Sequence, residues 1–225
     1  MDLLGNACDV RFVGGSAGDD LQFRTTHVAV DGRAVTDAVA LALLEPPRGF
    51  DLIKTQSFRQ LPARLVATKV DEASRTVLEF DGQPAARAYA AALGVAVEDL
   101  AKHFRRHPVG LMVDGDPFVR SPMRLEGEGV MFYCDIKQGM QLALLESTDI
   151  VRDTAAAIAA QRARGDIAAL INFNCILRTL ELEDRGQTGA YGELFSTVPT
   201  VGFSTYGEEL IGHVNQTATM VSFRA

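Results

Sequence analysis

The chain has 225 residues, 47% apolar and 23% charged, a composition that excludes disorder and leaves room for one large or two small globular domains. Its 22 basic and 29 acidic residues give a net charge of −7, which repels phosphate backbones and anionic lipid, so neither nucleic acid nor membrane is an expected partner. The one basic cluster, Lys102, His103, Arg105, Arg106 and His107, reads as the end of a helix, where cations complement the dipole. The longest apolar run, Ala38 to Leu44, falls far short of the about 20 residues that span a bilayer. Met1-Asp2-Leu3 does not open a signal peptide. Cys8, Cys134 and Cys175 form no CxxC pair; they read as reduced thiols of a cytoplasmic protein, and no zinc or other metal site is expected.

In chain order, Val10 to Val13 reads as a short strand running into the loop Gly14-Gly15-Ser16-Ala17-Gly18-Asp19-Asp20. Phe23 to Val30 leads to the hairpin signal Asp31-Gly32, and Val35 to Leu44, with Val39, Leu41 and Leu43 alternating, predicts a strand packed on a core. Strands follow at Asp51 to Phe58, Arg64 to Val70 and Thr76 to Phe80. Asp81-Gly82-Gln83-Pro84 then starts an alanine-rich helix over Ala85 to Leu93, and a second helix is predicted over Val97 to Arg106. Leu111 to Val113, Phe118 to Leu125, Gly129 to Cys134 and Gln141 to Leu145 read as an antiparallel meander. Asp149 to Arg164 is a helix, Ile167 to Phe173 a strand, and Cys175 to Leu182 and Tyr191 to Phe195 are helical. Thr200 to Tyr206 and Thr217 to Phe223 close the chain as strands. The expected fold class is α+β, mainly antiparallel sheets with packed helices.

Three C-terminal segments are more specific: Phe173-Asn174-Cys175-Ile176-Leu177-Arg178, Gly202-Phe203-Ser204-Thr205-Tyr206-Gly207-Glu208 and His213-Val214-Asn215-Gln216-Thr217. Their order and spacing resemble the C-terminal half of the FIST domain. Phe80-Asp81-Gly82-Gln83-Pro84-Ala85 with Tyr89 and Leu93-Gly94 looks like the junction between the family's halves, and Gly14 to Asp19 with Asp31-Gly32 looks like the end of its N-terminal half. The resemblance divides the chain into residues 1–80, the C-terminal part of a FIST N-terminal-like region, and 81–225, a FIST C-terminal-like domain. It implies a bacterial sensory domain of signal transduction for amino acids or related small polar metabolites, not an enzyme. With no transmitter module after Ala225, the expected effector is a separate signalling protein.

Within those segments, the guanidinium of Arg178 suits a ligand carboxylate, or alternatively a salt bridge to Glu181, Glu208 or Glu209. Glu208, after Gly207, suits an ammonium or is a turn acid; Tyr206 walls a pocket or belongs to the core. His213, Asn215 and Thr217 alternate, which in an extended segment places them on one face, to sort a polar ligand or to satisfy backbone groups. The expected ligand site is therefore Arg178, Tyr206, Glu208, His213 and Asn215. The Gly14–Asp19 loop lacks the Lys-Ser/Thr ending of a phosphate loop; it reads as a tight loop with amides near the pocket.

Three other readings stand beside this one. No cofactor is expected, although some FIST relatives are haem-based nitric oxide sensors, which makes His27, His103, His107 and His213 the candidate haem ligands. Cys175 with His213 as base would make a thiol enzyme. A protein-interaction scaffold, as in the F-box relatives, is the fourth.

Overall fold

The computed structural model describes Val10, residues 12–210 and residues 212–225, and the chain forms two compact units interleaved along the sequence. One comprises the chain up to Thr55 with Ile150–His213 and Thr217–Ala225; the other comprises Gln56–Asp149 with Val214–Gln216.

The N-terminal stretch holds β1 (Val13–Gly15), β2 (Val28–Val30), β3 (Arg33–Val35) and β4 (Phe50–Gln56). Asp31 and Gly32 both take positive φ, 51° and 74°, the geometry that lets a two-residue turn follow the twist of its strands, and β2 pairs with β3. The strand expected up to Leu44 stops at Val35. Residues 38–46 carry no regular structure, and Leu43 is 88% exposed. Alternation only prepares a face; a strand also needs a neighbour for its backbone, and none of the described strands supplies one.

The second unit begins with β5 (Phe58–Asp71), β6 (Thr76–Phe80), β7 (Gln83–Pro84) and α1 (Ala85–Leu93). After a 3-10 helix over Val97–His103 come β8 (Val109–Val113), β9 (Asp116–Arg120), β10 (Pro122–Glu126), β11 (Gly129–Phe132) and β12 (Gln141–Ser147). The order is β10-β11-β6-β5-β12-β8-β9, with β7 on β6, and all pairings are antiparallel. The outermost strands, β9 and β10, are consecutive in sequence, so the sheet curls nearly closed instead of forming the expected meander. Ser121 breaks the single strand predicted over Phe118 to Leu125 at that corner.

Gly94, with φ 70°, ends α1 by returning its N–H to Ala90 and Ala91. Tyr89 of α1 is fully buried between Phe80 and Phe104, and its hydroxyl donates to the His107 carbonyl at 2.5 Å. Each such buried large side chain contributes about 1.5–3 kcal/mol. The helix expected over Val97 to Arg106 is the 3-10 segment, with Lys102 bonded back to Asp99 at 2.6 Å.

Returning to the first unit, the chain adds α2 (Ile150–Arg162), β13 (Ile167–Cys175), α3 (Ile176–Asp184), α4 (Thr188–Glu193), β14 (Thr200–Thr205), β15 (Glu208–Leu210), β16 (Gly212–Val214) and β17 (Thr217–Arg224). A four-stranded sheet runs β14-β13-β17-β4, with β14 parallel to β13, and a three-stranded sheet runs β1-β15-β16. Ile53, Leu170, Val198, Ala218 and Met220 form the core of this unit. The guanidinium of Arg224 grips both carboxylate oxygens of Asp51, each at 2.9 Å, and holds that carboxyl down to about 2.

Gly202 of β14 faces Asn172 of β13 so closely that a Cβ would lie 1.9 Å from the Asn172 carbonyl oxygen. Gly202→Ala should therefore prise the parallel pair apart and cost at least about 1–3 kcal/mol in urea unfolding. An unchanged midpoint would refute this account of the contact.

Candidate functional site

The strand β13 reads Leu170-Ile171-Asn172-Phe173-Asn174. Its period of two sets Asn172 and Asn174 on the same face as the core residue Leu170. The chain turns directly from Cys175 into α3, whose inward side carries Arg178, Glu181 and Leu182. Arg178 is the largest fully buried side chain of the protein, 1% exposed.

Arg178 forms no ion pair among the described residues. Its Nε donates to Asn174 Oδ1 at 3.0 Å and one Nη to Thr154 Oγ1 of α2 at 3.0 Å, while its other Nη is buried without a partner. The alternative expected from sequence, a salt bridge to Glu181, Glu208 or Glu209, is not formed; Glu181 instead pairs with Arg185 at 2.6 Å. A cation buried among neutral hydrogen-bond partners is costly, and Arg178 keeps one guanidinium nitrogen unsatisfied there.

Asn174 also lines an open cleft of about 310 Å3 between β13, β14, α3 and α4. Its floor and rim carry Asn172, Asn174, Thr179, Tyr191 and Ser204, and its apolar wall carries Leu182, Val201 and Phe203. Asn174 Nδ2 donates to Thr179 Oγ1 at 3.0 Å, and Thr179 Oγ1 lies 2.8 Å from Ser204 Oγ. The Tyr191 hydroxyl donates to Asn174 Oδ1 at 3.1 Å and accepts from Asn172 Nδ2 at 3.3 Å. Asn172 is 8% exposed and its Oδ1 is buried with no partner. A recognition surface of this kind, apolar on one side with a few oriented polar groups on the other, suits a small molecule.

The other sequence-predicted residues lie elsewhere. Half-buried Tyr206 is a brace: its hydroxyl donates to Asp19 Oδ1 at 2.8 Å and accepts the Leu21 N–H, and its ring stacks on Phe23. The glycine-rich loop serves this packing and does not line the cleft. A Cβ at Gly18 would meet the Tyr206 ring at 2.7 Å, and one at Gly15 would meet Thr205 at 2.2 Å. Asp19 accepts the N–H groups of Phe23, Arg24 and Thr25; these bonds, Arg24 first, hold its carboxyl well below the usual range.

Glu208 is fully buried. It accepts from the Thr205 hydroxyl, from Thr217 Oγ1 at 2.7 Å, from the Thr217 N–H at 3.1 Å and from the Cys175 thiol. No hydrogen bond or ion pair joins it to Arg178 among the described residues. The backbone of His213 is in β16, and its side chain lies outside the described residues. Asn215 is buried and belongs to the other compact unit. Gln216, with φ 50°, turns the chain there, so the expected alternation of His213, Asn215 and Thr217 along one extended segment is broken.

The structure thus joins Arg178 to a set the sequence reading passed over: Asn172, Thr179, Tyr191 and Ser204. The available signal was Asn172 and Asn174 spaced by two in an apolar strand, an arrangement that obliges both amides to find partners on one face. The cleft carries no histidine, His103 and His107 lie with ring centroids 5.6 Å apart, and the side chain of His213, another candidate haem ligand, lies outside the described residues. Among the described residues no three His, Cys, Asp or Glu side chains gather to hold a metal ion. No described helix is long and apolar enough to cross a membrane.

Two measurements test this geometry. Burial pushes the Glu208 carboxyl up from 4.5 to about 7 against the pull of its hydroxyl and thiol donors. The folded chain keeps this proton where the unfolded chain has released it, so the group's contribution is complete below pH 4.5 and is lost as pH rises to about 7. Glu208→Gln should flatten that limb by about 3 kcal/mol in urea unfolding between these pH values; an unaltered limb would assign it elsewhere. Cys175 is 1% exposed, so iodoacetamide should modify it only as fast as the protein opens. Labelling at the rate of a free thiol would restore the enzyme reading.

Comparison with known proteins supplies the context. Residues 1–83 match the FIST N domain and residues 85–210 the FIST C domain, so the N-terminal region expected only in part is present. An uncharacterized protein of Methanocaldococcus jannaschii is 27% identical over 165 residues, covering 67% of this chain. The chain spans about a third, 32%, of that curated relative's length. No solved structure matches. The chain belongs to the FIST family, whose domains are the sensory domains of signal transduction.

Proposed function

We propose that this chain senses a small polar metabolite, an amino acid or a close relative, in the cleft between β13, β14, α3 and α4, and that a separate cytoplasmic signalling protein reads its state. The observation that carries the reading is the buried, unpartnered Asn172 Oδ1 in the wall of a cleft whose floor rests on a guanidinium with no counter-ion among the described residues. Buried polar atoms are nearly always satisfied, and one left unsatisfied in a residue that lines a cleft supports a ligand as its missing partner. Arg178 belongs to this site from beneath, through Asn174. Tyr206 and Glu208 belong to its support, at the end of β14 and the start of β15. The acidic composition and the buried thiols Cys134 and Cys175, neither of which is in a disulfide, support a reducing, cytoplasmic setting.

Thermal unfolding in the presence of each common amino acid tests the proposal. A ligand at 100 times its Kd adds about 2.7 kcal/mol to stability, and a clear rise in Tm for some members is expected. Phe203→Asp, at a 48% exposed position of the cleft wall, should abolish that rise while leaving the unliganded Tm within a few degrees. A chain that no amino acid stabilises, or a Phe203→Asp chain stabilised like the parent, would refute the proposed site.

A further inference from the structure

The polar floor of the cleft has a direction, and Arg178 sets it. A guanidinium only donates, so the atom of Asn174 that faces Arg178 Nε at 3.0 Å is its oxygen, and the amide is locked in one orientation. Two branches leave Asn174. On the first, the Tyr191 hydroxyl gives its proton to Asn174 Oδ1, which leaves the phenol oxygen to accept from Asn172 Nδ2. The Asn172 amide is locked in turn, and its oxygen is the acceptor left buried without a partner. On the second branch, Asn174 Nδ2 donates to Thr179 Oγ1, which shares a hydrogen bond of 2.8 Å with Ser204 Oγ in which either hydroxyl can donate. With Thr179 as the donor, the Ser204 proton has no acceptor among the described residues and is left for a ligand oxygen.

From this we infer that the cleft takes a ligand bearing an N–H donor beside an oxygen acceptor on an apolar body, the N–H for Asn172 Oδ1 and the oxygen for the Ser204 hydroxyl. Amino acids with apolar side chains and their primary amides have this pattern. The matching 2-oxo acids lack the donor, and the matching amines lack the acceptor. A donor-less ligand would leave Asn172 Oδ1 buried and unsatisfied, the kind of mismatch that polar sites reject strongly. Phe203, Val201 and Leu182 provide the apolar side. Arg178 touches no ligand in this scheme; it is a positioning residue that fixes the Asn174 amide from which both branches leave. The inference rests on the proposed sensing role and narrows it to a ligand chemistry.

The test is calorimetric titration of the purified chain with leucine, valine and phenylalanine, their primary amides, the corresponding 2-oxo acids and the corresponding amines. The expected result is binding of at least one amino acid or amide, with its 2-oxo acid and its amine each at least tenfold weaker. An oxo acid or amine that binds as tightly as its amino acid would overturn the inference and leave the sensing role standing. Binding by none of the panel would overturn both.

Variants then test the polarity. Arg178→Lys, still donor-only, should keep the preference of amino acid over oxo acid. Arg178→Met frees the Asn174 amide to turn, and the preference should collapse toward unity. Should Arg178→Met fail to fold, Asn172→Asp decides instead: it keeps an acceptor at the position and should widen the preference for the ammonium compound. A preference that shifts toward the oxo acid in Asn172→Asp would overturn the assignment.

Discussion

A guanidinium buried without a counter-ion among the described residues is the constraint around which the first unit is arranged. Arg178, carried on α3, draws its hydrogen-bond partners from two other elements: Asn174 at the end of β13 and Thr154 on α2. None of these partners is charged, so the field of the cation is only partly offset, and the remainder orients the dipoles around it. The amides of Asn174 and Asn172 and the hydroxyls of Tyr191, Thr179 and Ser204 form one continuous network on that account. A structural protein would gain more from an apolar side chain at 178. An arginine there makes sense as the origin of an oriented polar surface.

The opposite charge is buried separately. Glu208 lies among the Thr205, Thr217 and Cys175 donors, and its neighbours are neutral as well. Its position at the start of β15, paired opposite Gly15 of β1, ties the glycine-rich loop to the strand that follows the cleft. Tyr206 completes that attachment through Asp19. The family-like segment Gly202 to Glu208 therefore divides its work. Gly202, Phe203 and Ser204 face the cleft, while Thr205, Tyr206 and Glu208 fasten β1 and its loop to the end of β14.

Much of the architecture is legible in the residues. The Asp-Gly pairs at 31, 81 and 114 all adopt the positive φ values that such pairs accept, and each makes a tight turn. The alanine run of α1, bounded by Pro84 and Gly94, is a helix over the residues predicted, and Thr76–Phe80 is a strand over the residues predicted. The failures are equally physical. The alternating Val39, Leu41 and Leu43 predict a strand, but pairing depends on a neighbour that local pattern cannot provide. The run Phe118 to Leu125 looks continuous, yet Ser121 divides it between the two margins of one curled sheet.

The sequence by itself determined the family, the α+β class and the turns, because each of these is written in residues close together along the chain. Only the tertiary structure decided which polar side chains share a site. Asn172, Tyr191 and Ser204 meet because β13 pairs in parallel with β14 and α4 packs beside them, contacts that span up to about 30 positions and leave no local periodicity. The same holds for Glu208 and Asn215, which seven residues separate but which fold into different compact units. Spacing identifies residues that are able to meet; burial and backbone pairing decide whether they do.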